Sequence, residues 1–175
     1  LIDGMFAFAI YDKKTNILSL CRDRFGEKPL YYGLKYKNLF FSSELKPLKK
    51  IDFLNLAINN QAINLYFKFG YIPHPHTIYS DVFKVEPGQI VHYSCDDQKI
   101  ISKNLYYDLK KVFINKDKKD KVQNENTILN TFENKLSENI FSRTVSDVGY
   151  GVFLSSGIDS SLIASILAKK HNKKI

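Results

Sequence analysis

The strongest chemical signal in the sequence is the run Ser155-Ser156-Gly157-Ile158-Asp159-Ser160-Ser161. The N-terminus of a helix offers backbone N–H groups and the positive end of its dipole, and a glycine there lets the backbone approach an anion closely. Four serine hydroxyls add donors, while the carboxylate of Asp159 suits a magnesium ion better than a phosphate oxygen. The run therefore predicts a phosphate site, although an ordinary capped turn needs only one serine and one aspartate.

The elements around this run must place it between a strand and a helix. The apolar residues 151–154 predict a strand before it, and a helix begins at about Ser160. Upstream, Thr127 is the predicted cap of another helix. The apolar faces of the two helices are Ile128, Phe132, Leu136 and Ile140 in the first, and Leu162, Ile163, Ile166 and Leu167 in the second. A strand, loop and helix in this order open a parallel α/β domain, and one such unit does not form a sheet by itself.

Residues 1–107 have a different pattern, that of closely spaced strands. Residues 5–11 are apolar throughout, which predicts a strand buried on both faces, and residues 17–21, 30–34 and 39–43 predict three more. Short turns between them predict one antiparallel sheet in a layered α+β domain. The sequence also predicts a helix over residues 61–69 that ends at Gly70, followed by an extended segment over residues 71–79. It further predicts a type II turn at residues 85–88 and a hairpin formed by residues 89–94 and 99–103.

Composition narrows the function classes. The formal charge of +8 raises the question of nucleic acid, but many of the lysines cluster with aspartates in residues 108–126, which is typical of a solvated linker. Two cysteines 74 positions apart make neither a disulfide framework nor a zinc pair, which favours a reducing cytoplasm. No apolar run is long enough to span a bilayer. Leu1 is not an initiator methionine and Lys173-Lys174-Ile175 is the start of a possible strand, so we expect an internal fragment.

The serine-rich run resembles the pyrophosphate loop Ser-Gly-Gly-x-Asp-Ser-Ser of the ATP pyrophosphatase superfamily, which asparagine synthetases share. Ser156 stands where that pattern has its first glycine. The upstream half resembles the later part of the class II glutaminase domain of the same synthetases. That resemblance is carried by residues 3–12, by Arg22-Asp23-Arg24-Phe25-Gly26-Glu27-Lys28-Pro29-Leu30-Tyr31-Tyr32, by Ser43-Glu44-Leu45-Lys46, and by residues 71–79 with Val85-Glu86-Pro87-Gly88.

The resemblance implies a fold for each part. Residues 1–107 would be the later part of an N-terminal-nucleophile glutaminase with an αββα sandwich, residues 108–126 a linker, and residues 127–175 the start of a Rossmann-like α/β ATP pyrophosphatase domain. It also implies ATP binding by Leu154, Ser155, Ser156, Gly157, Asp159, Ser160 and Ser161, with Asp159 holding Mg²⁺ through the pyrophosphate.

The implied reaction joins glutamine hydrolysis to amide synthesis. An N-terminal cysteine releases ammonia, and aspartate activated by ATP as a β-aspartyl-adenylate accepts it, giving asparagine, AMP and pyrophosphate. That cysteine precedes Leu1 in the family order, so no catalytic residue is expected in the chain, which by itself would be inactive. Neither Cys21 nor Cys95 is a substitute.

Other polar residues are expected to be structural. Arg22, Asp23 and Arg24 are interpreted as containing an Arg-Asp pair that fixes a loop beside the glutaminase site, rather than as a catalytic cluster. Glu44 is interpreted as a cap or a partner of that loop. His74 and His76 have strand-like ligand spacing, but no acid cluster accompanies them, so we do not expect a metal there.

Two alternatives stay open at this stage. The same architecture amidates other carboxylates, such as a sugar acid or a β-lactam precursor, and a non-catalytic basic module would bind partners instead. In the leading hypothesis the partners are glutamine, aspartate and ATP, with association into a homodimer left open and no nucleic-acid or membrane partner.

Overall fold

The computed structural model describes residues 2–114 and 124–170, a mixed α/β structure in which all strand pairs are antiparallel. The chain divides into two compact units, Leu1–Lys116 and Asp117–Ile175. The strands are β1 (Ala7–Asp12), β2 (Ile17–Arg22), β3 (Tyr31–Lys35), β4 (Asn38–Ser42), β5 (Phe83–Lys84), β6 (Gln89–Ser94) and β7 (Lys99–Leu105). The helices are α1 (Leu45–Leu48), α2 (Asn60–Phe69), α3 (Leu109–Ile114), α4 (Glu125–Ser142) and α5 (Ile158–Lys170), with a 3-10 helix at Asp52–Leu54.

The first unit contains two antiparallel sheets rather than the single sheet that the sequence predicts. One has the order β1-β2-β6-β7 and the other has the order β4-β3-β5. The expected strands and short turns are present, but β2 pairs with β6 along its second edge, with Leu18 opposite Tyr93. Because that edge is occupied, β3 lies in the other sheet, and residues 23–30 connect the two.

A hydrophobic core joins residues of both sheets. It consists of Leu20, Leu30, Tyr32, Val85 and Val91, all at most 4% exposed. Burying a side chain of this size contributes about 1.5–3 kcal/mol. The prediction that residues 5–11 are buried on both faces is wrong, because β1 is an edge strand of which only Ala7 reaches this core, and Ile10 remains 57% exposed.

A second cluster packs α1 and the 3-10 helix of this unit against β4. Its buried members are Phe40, Leu48, Leu54, Tyr79 and Val82. The helix predicted over residues 61–69 is confirmed as α2, which Asn59 caps by accepting from the Ala62 N–H and which Gly70 ends at a φ of 76°. Its apolar stripe is not buried among the described residues, since Phe67 is 81% exposed.

The turn and hairpin predictions for residues 85–103 are confirmed. Residues 71–79 contain no helix, but the prediction that they run extended is wrong at residues 73–76, because the His76 N–H donates to the Pro73 carbonyl at 3.0 Å and closes a turn there. In the predicted type II turn, the Gln89 N–H donates to the Glu86 carbonyl at 3.1 Å, and Gly88 has a φ of 68°. Strands β6 and β7 form the expected hairpin.

The second unit is built on two helices, and two details differ from the sequence-based expectations. Ile140 of α4 packs with Ile166 and Leu167 of α5. The cap of α4 is Asn124, whose side chain accepts from the Asn126 N–H, so the predicted cap at Thr127 is wrong. Helix α5 begins at Ile158 rather than at about Ser160.

The predicted strand over residues 151–154 is not formed. Phe153 and Leu154 are exposed, and Val152 packs against the helix cluster. A strand needs a neighbour to pair with, and within residues 124–170 the structure has no other strand. The apolar sequence is therefore present without the ladder that would make it a strand.

The predicted linker at residues 108–126 contains helical structure at both ends. Helix α3 occupies Leu109–Ile114 and has no buried residue, and α4 begins at Glu125. Residues 115–123 of the linker, and the strand expected to begin at the end of the chain, lie outside the described residues. In the part of the chain that is described, no helix is long and apolar enough to cross a membrane.

Gly33 on β3 provides a test of the packing between β3 and its neighbours. A Cβ at this position would overlap the Phe40 ring and the Asp81 carbonyl oxygen. Gly33→Ala should therefore destabilise the protein by about 2 kcal/mol or more, measured by urea unfolding. Gly149→Ala is the matched control, because its Cβ would meet nothing within 4 Å. Equal stability of the two variants would contradict the described packing.

Candidate functional site

The serine-rich run lies at the N-terminus of α5, with Asp159, Ser160 and Ser161 in the first turn of the helix. Leu154 and Ser155 precede it on an exposed segment. The helix is 13 residues long, so the positive end of its dipole and the unpaired N–H groups of its first turn face this loop.

Three of the four serine hydroxyls brace the loop itself. The Oγ atoms of Ser155 and Ser160 are 2.8 Å apart, and the Gly157 N–H donates to Ser155 Oγ at 3.2 Å. Ser160 Oγ also accepts from the Ser155 N–H at 3.2 Å, and Ser161 Oγ donates to the Gly157 carbonyl at 2.9 Å. These bonds fix the path of the backbone before any ligand arrives.

The remaining polar groups point to a different use. The side chains of Ser156 and Asp159 are exposed and make no hydrogen bond with the described residues. The backbone N–H groups of Ser156, Ile158 and Asp159 likewise have no acceptor in the described part of the chain. Free N–H groups and a free hydroxyl at a helix N-terminus suit an anion such as a phosphate.

Gly157 and Asp159 differ in what the structure requires of them. A Cβ at Gly157 would lie 3.2 Å from Ser155 Oγ, which is a crowded contact against the braced hydroxyl. The side chain of Asp159 is exposed, and a carboxylate of this kind is one of the oxygen ligands that magnesium takes in proteins, together with phosphate oxygens. Among residues 2–114 and 124–170, no group of three His, Cys, Asp or Glu side chains is placed to hold a metal ion.

The segment Arg22–Lys28 of the first unit is a loop held by two charged side chains. The Arg22 guanidinium donates to the carbonyl oxygens of Gly26, Lys28 and Val85 at 2.6, 2.7 and 2.8 Å. Because its five N–H groups form a rigid fork, one arginine can tie several backbone carbonyls together. The expected role of this residue in fixing a loop is therefore visible in the geometry.

Asp23 holds the same loop from the opposite side. Its carboxylate is 1% exposed and accepts from the N–H groups of Phe25, Glu27 and Lys28 at 3.1, 3.0 and 2.9 Å. Burial alone raises the pKa of Asp23, but the backbone donors together outweigh it and hold the pKa below the ordinary value. Its carbonyl accepts from the N–H groups of Gly26 and Gly88, which joins the loop to the β5–β6 turn.

Arg24 and Glu44 do not take part in the hydrogen bonds by which Arg22 and Asp23 hold this loop. Arg24 pairs with Asp3 on the surface, and its guanidinium lies 5.8 Å from the centre of the Tyr107 ring. Glu44 occupies the N-cap position of α1, but its side chain makes no capping hydrogen bond, so the expected cap is wrong.

The environment of Cys21 does not favour a nucleophile, and His74 faces a glutamate. Burial raises the pKa of Cys21, and the nearby Asp23 carboxylate acts in the same direction, which leaves the thiol protonated. Cys95 is half-buried and unpaired with Cys21. His74 Nε2 lies 4.0 Å from Glu86 Oε2.

Comparison with known families follows the same division of the chain. Residues 1–107 match the model described as a glutamine amidotransferase domain, and residues 131–175 match the model described as asparagine synthase. Because the first match covers more than half of the chain, this chain belongs to the glutamine amidotransferase domain family.

Curated relatives match along nearly the whole chain. A Methanocaldococcus jannaschii protein with a provisional name as a glutamine-hydrolysing asparagine synthetase is 36% identical over 171 residues, which is 94% of this chain and 31% of the relative. Asparagine synthetase [glutamine-hydrolyzing] 1 of Bacillus subtilis is 33% identical over 96% of this chain and 25% of its own length. Another, numbered 3 in the same organism, is 28% identical over 99% of this chain and 27% of its own length. The chain thus spans a quarter to a third of the relatives that it matches.

The sequence did not show which polar side chains of each loop hold the backbone and which remain unbonded. The four serines read as equivalent donors, whereas three of them bond to the loop. The multiple bonds of Arg22 and Asp23 were also missed in detail, although glycine at position 26, followed by proline at position 29, is typical of a tight loop that needs internal hydrogen bonds.

Asp23→Asn tests whether the Asp23 carboxylate holds the Arg22–Lys28 loop. The amide keeps the shape but loses the charge, and its NH₂ group would face N–H donors, so we expect the free energy of unfolding to fall by about 3 kcal/mol at pH 7. The folded pKa of Asp23 lies below that of the unfolded chain, so its stabilisation is complete above the unfolded pKa of about 3.9 and is lost as pH falls through the folded pKa. The difference between wild type and variant should therefore shrink on acidification below about pH 4.

The measurement is urea unfolding as a function of pH. Asp52→Asn is the control, because the Asp52 side chain is exposed and makes no hydrogen bond with the described residues. A difference that is independent of pH, or that equals that of the control, would show that the buried carboxylate does not hold the loop.

Proposed function

We propose that this chain is part of a glutamine-hydrolysing asparagine synthetase that makes asparagine, glutamate, AMP and pyrophosphate from aspartate, glutamine and ATP. The observation that carries the proposal is the order of two family matches in one chain, amidotransferase at residues 1–107 and asparagine synthase at residues 131–175. The names of the curated relatives support the same reaction.

In the proposed architecture each unit contributes to a different half-reaction. Residues 1–107 are the later part of an N-terminal-nucleophile glutaminase of αββα type, residues 108–126 are a linker, and residues 127–175 begin a Rossmann-like ATP pyrophosphatase domain. Two stacked antiparallel sheets in the first unit support the first assignment. We assign the nucleophile to a residue outside this chain, a view supported by the burial and raised pKa of Cys21.

The serine-rich loop is the proposed pyrophosphate site of the synthetase half. We assign ATP binding to Leu154, Ser155, Ser156, Gly157, Asp159, Ser160 and Ser161. Within this set Ser155, Ser160 and Ser161 hold the loop, and the free N–H groups with the Ser156 hydroxyl contact phosphate oxygens. Asp159 would hold Mg²⁺, which when bound neutralises charge on the leaving pyrophosphate.

The rest of the proposal concerns partners and location. Glutamine, aspartate and ATP are the proposed substrates, and a homodimer is the proposed assembly. Two free cysteines, one of them buried, support the reducing cytoplasm as the compartment.

The products of ATP cleavage test the proposed reaction. The full-length protein, supplied with aspartate, glutamine and Mg-ATP, should release AMP and pyrophosphate in a one-to-one ratio with asparagine, measured by chromatography. A sugar acid or a β-lactam precursor in place of aspartate tests the other acceptors. Release of ADP, or turnover only with another acceptor, would contradict the proposed function.

Ser156→Ala tests whether the Ser156 hydroxyl contacts phosphate and does not hold the loop. Loss of one hydrogen bond to a charged phosphate should raise the KM for ATP by about tenfold or more, since such a bond contributes about 1.5–3 kcal/mol. The melting temperature without nucleotide should not change, because the hydroxyl bonds to no described residue.

Ser155→Ala should show the opposite result, with a lower melting temperature because it removes the bond to Ser160. Ser165→Ala is the control, a serine on α5 whose hydroxyl donates only to the Leu162 carbonyl of its own helix. An unchanged KM for ATP in Ser156→Ala would contradict the assigned phosphate contact.

A further inference from the structure

A cleft beside the Arg22–Lys28 loop has the size of a small-molecule site. It has a volume of about 510 Å³ and lies wholly within the first unit. A second cavity of about 410 Å³ adjoins it and shares Arg24 and Tyr107. Ligand sites commonly have volumes of about 300–1,000 Å³, with apolar walls and a few polar groups. We call the larger one the Arg24–Phe25 cleft.

The apolar wall of this cleft is exposed and held in place. Phe25 is 59% exposed, and its ring meets the Tyr107 ring edge to face at 5.9 Å between centroids. Leu105 and Leu109 line the same cleft and are each almost half exposed. An apolar group bound there would remove all three side chains from water.

The polar groups of the cleft have both signs. Arg24 and Lys110 line it as cations, and a carboxylate is the anion that a guanidinium pairs with most specifically. Arg24 already bonds to Asp3 through one nitrogen, and the other N–H groups of its guanidinium remain for a ligand carboxylate. Glu86 lines it as an anion, and its only ionic neighbour among the described residues, His74, is 4.0 Å away, beyond hydrogen-bond distance. A ligand ammonium group would therefore meet an acceptor that still has free lone pairs.

The mixed signs decide between classes of ligand. A phosphate would be repelled by Glu86 and Asp108, and a purely apolar molecule would leave the side chains of Lys110 and Glu86 without a hydrogen-bond partner among the described residues. A zwitterion with an apolar side chain offers a carboxylate to the two cations, an ammonium group to Glu86, and an apolar group to the wall.

The loop that carries Arg24 and Phe25 is pre-organised. Arg22 fixes three of its neighbouring carbonyls and Asp23 fixes three of its N–H groups, so the position of Phe25 is set before binding. A pre-organised site loses less conformational entropy when a ligand binds. From the wall, the charges and the fixed loop, we propose that the Arg24–Phe25 cleft binds a free α-amino acid with an apolar side chain. This site goes beyond the proposed reaction and does not depend on it.

The test is calorimetric titration of the full-length protein with L-leucine and L-phenylalanine. Both lack an amide and a second carboxylate, so they are not substrates of the proposed reaction. At least one should bind saturably in the presence of excess glutamine and aspartate. Its methyl ester and its analogue without the amino group should each bind at least about tenfold more weakly, because each loses one charged contact.

Two variants assign the binding to the cleft. Phe25→Ala and Glu86→Gln should each weaken binding about tenfold, and both side chains lie at the surface, so folding can be checked by circular dichroism. Phe67→Ala is the matched control, an 81% exposed phenylalanine on α2 that should leave binding unchanged.

Three results would overturn the proposal. They are the absence of saturable binding by either amino acid, binding that excess glutamine or aspartate abolishes, and binding that Phe25→Ala and Glu86→Gln leave unchanged. None of these results bears on whether the protein makes asparagine, because the titration needs no turnover.

Discussion

Asp23 carries a negative charge at the point where the chain leaves the first sheet of unit 1 for the second. The charge is tolerated because backbone N–H groups replace the water that burial removes. Arg22 satisfies the carbonyl groups of the same loop, so both kinds of backbone group have partners. Without these two side chains the connection between β2 and β3 would leave polar backbone groups buried and unpaired, next to the core formed by Leu20 and Leu30.

In the second unit, a shorter loop is also held by hydrogen bonds from its own polar side chains. In the loop before α5, Ser155, Ser160 and Ser161 bond to their own segment, whereas the side chains of Ser156 and Asp159 make no hydrogen bond with the described residues. In each unit, some polar side chains hold the loop backbone in place by hydrogen bonds, and neighbouring side chains of the same loop are exposed to solvent. A fixed path matters for function because a ligand then need not order the loop when it binds.

Local signals predicted much of the structure. Gly70 and the Glu86–Gln89 turn were predictable because a glycine with positive φ, or proline followed by glycine, leaves the backbone few alternatives. The division into two sheets was not predictable, because the pairing of β2 with β6 joins residues about 70 positions apart. The cap of α4 was misplaced because Asn124 and Thr127 are both good capping residues and only the backbone path decides between them. The motif at residues 155–161 predicted an anion site, but which hydroxyls are free depended on the geometry.

The transfer of nitrogen from glutamine to the product most directly tests the proposal that the protein makes asparagine from aspartate and glutamine. The full-length protein would be supplied with aspartate, Mg-ATP, glutamine labelled with ¹⁵N at the amide, and an excess of unlabelled ammonium. We predict ¹⁵N in the side-chain amide of asparagine, because the amidotransferase match and the asparagine synthase match lie in one chain. Label that appears only in free ammonium, with unlabelled asparagine or none, would contradict it.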